Sequence, residues 1–113
     1  MIEFNQESRD GVVVLTVKGR LDAVAAPELR PTIDQLVADK QKWVVFDLHE
    51  LQMIDSSGVG AIVSLFKRLR MIGGDVKIAC LTGQPKEIFR LLRLDRAFDI
   101  YDALDTAIAK LKK

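Results

Sequence analysis

The stretch Trp43-Val44-Val45-Phe46-Asp47-Leu48 decides the fold class, because it is an apolar run with a single carboxylate near its end. A short run rich in β-branched and aromatic side chains is typical of a strand that is buried on both faces. After a loop, apolar residues recur at the spacing of an amphipathic helix. They are Val59, Ile62, Val63, Phe66 and Leu69, and Gly73-Gly74 ends the pattern. The stretch therefore predicts a buried strand followed by a helix.

Upstream of this unit, the sequence predicts two strands that form a hairpin. Residues 2–5 alternate apolar and polar side chains, which indicates a short half-buried strand. The β-branched run 12–17 indicates a second strand, and Gly19 is expected to end it. Arg9-Asp10-Gly11 has the composition of the turn between them. The sheet is therefore expected to open with an antiparallel pair.

A helix is predicted between the hairpin and the buried strand. Leu29, Ile33, Leu36 and Val37 recur on one helical face. The start of this helix stays open at this point. Pro27 would suit a first turn, whereas Pro31 would then kink the helix or mark a later start.

Strands and helices continue to alternate downstream. Strands are predicted at 76–81 and 98–101, a short helix from Pro85, and a terminal helix at 103–112. Cys80 lies in the first of these strands and is expected in the core. The alternation predicts a single α/β domain over residues 1–113. Its sheet is expected to be mixed but mostly parallel, opened by a β-hairpin and accompanied by about four helices.

Composition excludes several classes of protein. The chain has 113 residues, of which 49% are hydrophobic and 29% charged, which suits one packed core and argues against a disordered tail. No apolar run approaches the ~20 residues of a membrane span, and no secretory signal is expected. Cys80 is the only cysteine, so an internal disulfide is impossible. We therefore expect a cytoplasmic protein without a membrane partner.

Charge is balanced overall but unequal between the halves. The net charge is +1, which gives no general attraction to nucleic acid. Residues 1–57 carry a balance of −4 and residues 58–113 a balance of +5. The basic side chains of the second half form two groups, at Lys67, Arg68 and Arg70 and at Lys86, Arg90, Arg93 and Arg96. These groups are either solvated helix faces or docking surfaces for an acidic protein partner.

The most informative motif is Asp55-Ser56-Ser57-Gly58-Val59-Gly60, at the junction of a loop and a helix. Ser56 or Ser57 can cap the helix, and Gly58 and Gly60 leave the backbone open to a close approach by another molecule. A phosphate on either serine would lie at the positive end of the helix dipole, beside unpaired N–H groups. The helix would tolerate it, whereas a partner that fits a neutral hydroxyl would not.

Catalysis by this chain is not expected. A nucleophilic serine needs a neighbouring base, and the one histidine, His49, is expected to be a solvated loop residue. The sequence lacks the G-x-S-x-G elbow of hydrolases, the G-x-G-x-x-G pattern and the Walker loop of nucleotide-binding proteins. It also lacks a Cys/His cluster for a metal. We therefore predict a protein that is not an enzyme and that needs neither a cofactor nor a metal.

The motif at residues 55–60 resembles the D-S-x-G-L-G signature of the STAS domain family, specifically of bacterial anti-sigma factor antagonists. Gly19-Arg20-Leu21-Asp22 is similar to the glycine and L/I-D step after the family's second strand. Val45-Phe46-Asp47-Leu48 is similar to its third strand, V/I-x-D-L. Val59 replaces the usual leucine, which is a conservative change. The resemblance extends over essentially the whole chain.

The resemblance implies a partner switch. In such a family the unphosphorylated antagonist binds an anti-sigma factor that is also a serine kinase, and so frees the sigma factor. The kinase uses ATP to phosphorylate the first serine of the signature, here Ser56, and the phosphorylated form is released. A serine phosphatase of the metal-dependent type restores the original form. Ser57 would be a secondary acceptor, and Asp22 and Asp55 would lie near Ser56 as partner-contact or positioning residues.

The helix after Ser56 also offers a candidate docking surface. Next to its core face lies the row Ala61, Leu65, Arg68 and Ile72. Leu65 and Arg68 are predicted to contact the partner together with Ser57, Gly58 and Gly60. The alternative is that neighbouring elements cover this row. We expect a monomer, because no long apolar face is left over.

Two rival functions remain open from the sequence. One is a STAS-domain subunit of a lipid-transport or stress-signalling complex that phosphorylation does not control. The other is a small enzyme or nucleotide-binding protein.

Overall fold

A six-stranded sheet with helices on both faces makes up the computed structural model, which describes residues 2–111. Its strands are β1 (Ile2–Arg9), β2 (Val12–Leu21), β3 (Trp43–Asp47), β4 (Leu51–Ile54), β5 (Asp75–Ala79) and β6 (Ile100–Tyr101). The helices within this range are α1 (Ala26–Ala38), α2 (Ser56–Met71), α3 (Gly83–Leu91) and α4 (Leu104–Leu111), with a 3₁₀ turn at Leu94–Arg96. The sheet order is β1-β2-β3-β5-β6, and β4 pairs with β2.

The pairing pattern confirms the predicted fold class. β1 and β2 are antiparallel, and the other pairs, β2–β3, β2–β4, β3–β5 and β5–β6, are parallel. Parallel strands end at the same edge of a sheet, so β2, β3, β4 and β5 bring their carboxyl ends together. This edge carries the loops that follow the strands.

The hairpin differs from its prediction in length and burial. β1 has 8 residues rather than the predicted four, and all but Ile2 are exposed. β1 is the edge strand of the sheet. Asp10 and Gly11 have φ values of 53° and 81°, which suits a tight turn between antiparallel strands. Gly19 does not end β2, which continues to Leu21.

Gly19 instead marks an irregularity within β2. Its φ is 92°, a conformation that glycine adopts without strain. The pairing register shifts between Gly19 and Arg20, and β2 there pairs with β4 instead of β3. The glycine therefore redirects the end of β2 toward the start of α2.

Two apolar layers hold the helices to the sheet. Alternate side chains of β2 face opposite layers, with Val13, Leu15 and Val17 on one side and Val12 and Val14 on the other. The larger layer includes side chains of α1, α2 and α3, and the smaller one those of α4. The β-strand period of two explains how one strand serves both cores.

Helix α1 settles the question of its two prolines. It begins at Ala26, so Pro27 lies in the first turn and the alternative of a later start is wrong. Pro31 lies inside the helix, which continues to Ala38. Proline lacks the N–H that would bond the carbonyl four residues earlier, and here that carbonyl belongs to Pro27 in the first turn. Burial of Leu29, Ile33 and Leu36 on the sheet side holds the helix together despite this loss.

The last elements are shorter than predicted. β5 ends at Ala79, and Cys80 follows it with a φ of 62°, so its expected place within the strand is wrong. Cys80 is half-buried and packs against the edge of the smaller apolar layer. β6 contains only Ile100 and Tyr101. α4 begins at Leu104 and is described to Leu111. The predicted end of this helix at Lys112 lies outside the described residues.

Candidate docking site at the start of helix α2

Two loops meet where β2 and β4 end. Asp22 follows β2 directly, and Asp55 follows β4 and precedes α2. The backbone N–H of Asp55 donates to the carbonyl of Leu21, at 3.3 Å. β4 was not predicted, since its four residues were interpreted as a loop, yet its pairing with β2 is what brings these two aspartates to one edge.

Asp55 is the N-cap of α2, so the prediction that Ser56 or Ser57 caps the helix is wrong. Its Oδ1 accepts hydrogen bonds from the N–H groups of Ser57 at 2.9 Å and Gly58 at 3.1 Å. Its Oδ2 accepts from the N–H of Ala23 at 3.1 Å. A carboxylate is a strong cap because it also offsets the positive end of the helix dipole. Asp55 therefore binds the loop after β2 to the start of α2.

Asp22 organises the other loop in a similar way. Its Oδ1 accepts from the N–H groups of Val24 at 3.1 Å and Ala25 at 3.0 Å. The hydrogen bond from Ala25 lowers the pKa of the Asp22 carboxyl most, and the bond from Val24 and the charge of Arg20 lower it further. Because hydrogen bonds to the charged form stabilise it, Asp22 carries its negative charge at neutral pH.

Gln84 of α3 supports the site from the side. Its Oε1 accepts from the N–H of Ile54 at 2.9 Å, and its Nε2 donates to the carbonyl of Ile54 at 3.0 Å. The side-chain amide thus takes the place of a neighbouring strand beside the last residue of β4. No sequence pattern predicted this role. Gln84 fixes the backbone immediately before Asp55.

Ser56 and Ser57 are the first two residues of α2, and both are exposed. The expectation of unpaired N–H groups beside a phosphate is wrong for Ser57 and Gly58, whose N–H groups bind the Asp55 carboxylate. A phosphate on Ser56 would instead lie next to a carboxylate. The local field at this hydroxyl is thus more negative than the helix dipole alone would make it.

The two glycines of the motif have different surroundings. A Cβ added to Gly58 would lie 2.2 Å from the carbonyl oxygen of Leu21 and 2.7 Å from the Ile54 side chain. Gly58 is buried, so its prediction as a partner contact is wrong, and it serves the packing of α2 against β2. A Cβ on Gly60 would meet nothing within 4 Å. Gly60 is therefore the glycine that leaves backbone open to another molecule.

A groove of about 710 Å³ runs between α1 and α2 and includes Ser57 and Gly60 in its wall. Small side chains on both helices leave the space unfilled. Arg68 Nη1 contacts Asp34 Oδ1 at 2.7 Å and joins the two helices along it. Among the lining residues are Ala23, Ala26, Pro27, Arg30, Ser64 and Arg68. Arg68 lines this groove, and its contact with a partner stays a prediction.

Leu65 has no part in the groove. Its side chain has no exposed surface and belongs to the core with Ile62 and Leu69. The prediction of Leu65 as a docking residue is therefore wrong, and the alternative that neighbouring elements cover it is correct. Ile72 is likewise partly buried against the core.

His49 lies beside Asp47 at the end of β3, not beside the serines at the start of α2. Its Nδ1 is 2.9 Å from Oδ1 of the buried Asp47, at the end of β3. Burial and the nearby Asp47 raise the pKa of the Cys80 thiol, which keeps it protonated at neutral pH.

Across residues 2–111, no group of three or more His, Cys, Asp or Glu side chains is arranged to hold a metal ion. In the same range, no helix combines the length and apolar character needed to cross a membrane.

The chain belongs to the STAS domain family, whose family model matches residues 3–107. An anti-sigma F factor antagonist from Paenibacillus polymyxa is 28% identical over 111 residues, which cover 97% of this chain and 92% of the relative. A crystal structure of an anti-sigma factor antagonist from Mycobacterium paratuberculosis is 27% identical and has a TM-score of 0.92. That match covers all of this chain and 96% of the other.

A third comparison concerns the Bacillus cell fate determinant SpoIIAA in its phosphorylated form. It has a TM-score of 0.76 and 21% identity, and the match covers 96% of this chain and 98% of the other. The comparison shows that the two chains share a fold. The architecture described above is therefore the STAS fold.

Proposed function

We propose that this protein is an anti-sigma factor antagonist and that phosphorylation of Ser56 ends its association with an anti-sigma factor that is also a serine kinase. The exposed hydroxyl of Ser56, directly after the capping carboxylate of Asp55, is the observation that carries the proposal. The names of the relatives from Paenibacillus and Mycobacterium support the role. The role is regulatory rather than enzymatic.

The partner would supply the chemistry of modification. The Ser56 Oγ attacks the γ-phosphorus of ATP, the bond between that phosphorus and the β,γ-bridging oxygen breaks, and ADP leaves. The hydroxyl proton passes to a base of the kinase. A metal-dependent serine phosphatase would then hydrolyse the phosphoester with water. Ser56 is the substrate of both reactions, and this chain needs no base of its own.

Electrostatic repulsion explains how the modification would release the partner. A phosphate adds about −1.5 to −2 charges at neutral pH, and on Ser56 it would stand next to the Asp55 carboxylate, with Asp22 on the adjoining loop. A surface that fits a neutral hydroxyl would have to desolvate and approach this concentrated charge. Because the Ser56 side chain is exposed, its modification leaves the core untouched.

The accessible neighbours of Ser56 define the proposed docking face. Asp55 offers negative charge directly before Ser56, Asp22 adds charge on the loop that Asp55 binds, and Gly60 allows a close approach to α2. The groove between α1 and α2 extends this face as far as Arg68. Because Ser57 lines the groove, we propose it as a partner contact and as a secondary acceptor.

Phosphate mapping tests the proposal. The protein is incubated with ATP and each candidate serine kinase of its own genome, and the modified residue is located by mass spectrometry. We expect phosphate on Ser56, lost in Ser56→Ala and kept in the matched variant Ser57→Ala. An unmodified Ser56 in these reactions and in protein from its own cells would overturn the proposal. It would favour the rival function of a STAS subunit in a complex without phosphorylation.

Binding measurements test the release mechanism separately. Ser56→Ala is expected to bind the kinase even in the presence of ATP, because it cannot be modified. Ser56→Asp is expected to bind at least tenfold more weakly, since it adds a third carboxylate beside Asp55 and Asp22. Equal affinity of Ser56→Asp and wild type would contradict release by charge.

A further inference from the structure

We propose that the C-terminal end of α3 carries a second docking surface, which binds an acidic amphipathic segment of a protein partner. We call it the α3 basic surface and define it by five consecutive or nearby residues. They are Arg90, Leu91, Leu92, Arg93 and Arg96. The surface is distinct from the start of α2, and its existence does not depend on the phosphorylation of Ser56.

Two adjacent leucines are the apolar part of this surface. Leu91 is 71% exposed and Leu92 is 52% exposed, at the last helical residue and the C-cap of α3. The inner face of the same helix is already packed on the domain, because Phe89 is buried and contacts Phe98. The exposed leucines are therefore not required to hold α3 on the domain. Adjacent exposed apolar side chains with a polar rim are typical of interaction sites.

Positive charge surrounds the leucines. Arg93 and Arg96 are exposed and make no ion pair with any residue of the described range, and the same is true of Lys86 one turn earlier in α3. Arg90 contacts Glu87 at 2.5 Å, with both side chains largely exposed. Uncompensated cations around an apolar centre are complementary to carboxylates around an apolar stripe. The occupant is therefore expected to be acidic.

The backbone of Arg93 turns out of the helix immediately after the two leucines. Its φ and ψ are 58° and 29°, in the left-handed region just after the C-cap of α3. Its N–H donates to the carbonyl of Arg90 at 3.1 Å. Glycine is the usual residue at such a position, since a residue with a Cβ is strained there. Lys40 after α1 shares this conformation, so the strain alone does not mark a docking residue, and Arg93 differs from Lys40 in having two exposed leucines directly before it.

A protein segment fits this surface better than a membrane. A helix that lies on a bilayer needs a broad apolar face and a polar face rich in cations. Here the apolar part consists of two leucines, and Glu87 and Asp95 lie among the cations. These carboxylates would be repelled by anionic lipid, whereas a protein partner can place its own charges to avoid them.

The test uses the full chain labelled with ¹⁵N and a helical peptide as probe. The peptide has leucine at helical spacing and glutamate at the remaining positions. A control peptide has glutamine in place of glutamate, and vesicles of phosphatidylglycerol provide the lipid comparison. We expect the acidic peptide to shift the amide resonances of residues 90–96, and this effect should weaken as salt is added. Ser56→Ala should bind the peptide as wild type does.

Arg93→Gly is the decisive variant, because it removes the cation and relieves the backbone strain at once. Lys40→Gly is its matched control, since Lys40 has a φ of 55° after the end of α1 and is also an exposed cation. Both variants should be at least as stable as wild type. Only Arg93→Gly should raise the dissociation constant of the acidic peptide, by about three- to tenfold.

Leu91→Ser provides a second variant that cannot disturb the core, because Leu91 is largely exposed. It should weaken peptide binding without lowering the unfolding temperature. The proposal is wrong if the acidic peptide does not bind, if its shifts fall outside α3 and the 3₁₀ turn, or if Lys40→Gly weakens binding as much as Arg93→Gly. Vesicle binding at residues 90–96 without peptide binding would also overturn it.

Discussion

Gly58 and Gly60 lie two residues apart in α2, but only Gly58 is packed closely against another element. A methyl group on Gly58 would overlap the carbonyl oxygen of Leu21, a backbone atom that cannot move without the end of β2. A methyl group on Gly60 would extend into open space. One glycine therefore belongs to the packing of the fold, and the other is free to serve binding.

Alanine at each position separates these two roles. Gly58→Ala should lower the free energy of unfolding by about 2 kcal/mol or more, because the helix must move away from β2. Gly60→Ala should raise it by up to about 1 kcal/mol, since alanine has the higher helix propensity. Urea denaturation measures both changes. A stable Gly58→Ala protein would contradict the close approach of α2 to β2.

The charge of Asp22 should appear in the acid stability of the protein. The hydrogen bonds from Ala25 and Val24 lower its pKa in the folded state, below the value of 3.8 for a free aspartate. A lowered folded pKa contributes stability above pH 3.8, and this contribution disappears as the pH falls through the folded pKa. Asp22→Asn should therefore be less stable than wild type at neutral pH.

The pH profile of that difference is the measurement. The gap in unfolding free energy between wild type and Asp22→Asn should narrow as the pH falls below 3.8. Asparagine keeps an acceptor oxygen, so the comparison isolates the charge rather than the hydrogen-bonding geometry. A gap that is constant from neutral to acidic pH would show that the charge does not stabilise this loop.

At the level of the elements, α2 shows what periodicity can predict and what it cannot. The spacing of Val59, Ile62 and Leu69 predicted the helix and its sheet side correctly. It could not show that α1 also packs against α2 or that Leu65 is buried as well. A single sequence gives the period of a helix, whereas the width of its buried face depends on neighbours that are distant in the chain.

The features of the site that were not predicted from the sequence also depend on contacts between residues that are distant in the chain. β4 has only four residues, and its partner β2 lies about thirty residues away, so no local pattern identified it. Asp55, Ser56 and Ser57 all have side chains that can cap a helix. Asp55 is the cap because α2 begins at Ser56, and the sequence alone does not define that start. Ala23 and Gln84 act through one backbone N–H and one side-chain amide, which have no distinctive sequence pattern. The class of fold and the position of Ser56 on a helix start needed only local signals.

Substitutions of Leu65 and Arg68 test which side of α2 is core and which side is available for docking. Leu65→Ala should lower the free energy of unfolding by about 2–5 kcal/mol, because it leaves a cavity in the core. Arg68→Ala breaks a partly exposed ion pair with Asp34 and should cost less than about 1 kcal/mol. Arg68→Ala should nevertheless weaken binding to the kinase that modifies Ser56. Kinase affinity equal to wild type would remove Arg68 from the docking face.

For the whole molecule, the proposed switch acts on association and leaves the fold unchanged. Ser56 is exposed, and its side chain lies outside both apolar layers of the domain. The phosphorylated protein should therefore unfold within about 1 kcal/mol of the unmodified protein. Thermal unfolding of the two purified forms checks this expectation. A large loss of stability on phosphorylation would mean that release occurs by unfolding instead.

The hydrogen bond from Ala23 to the far oxygen of the Asp55 cap has a consequence for solution experiments. Ala23 is exposed, so its amide proton would ordinarily exchange with solvent quickly, yet this bond should retard the exchange. If charge on Ser56 turns the Asp55 carboxylate aside, the Ala23 proton should exchange faster while the amides of β3 keep their protection. The exchange rate of the Ala23 amide proton would then report whether Ser56 is phosphorylated, with no binding partner present.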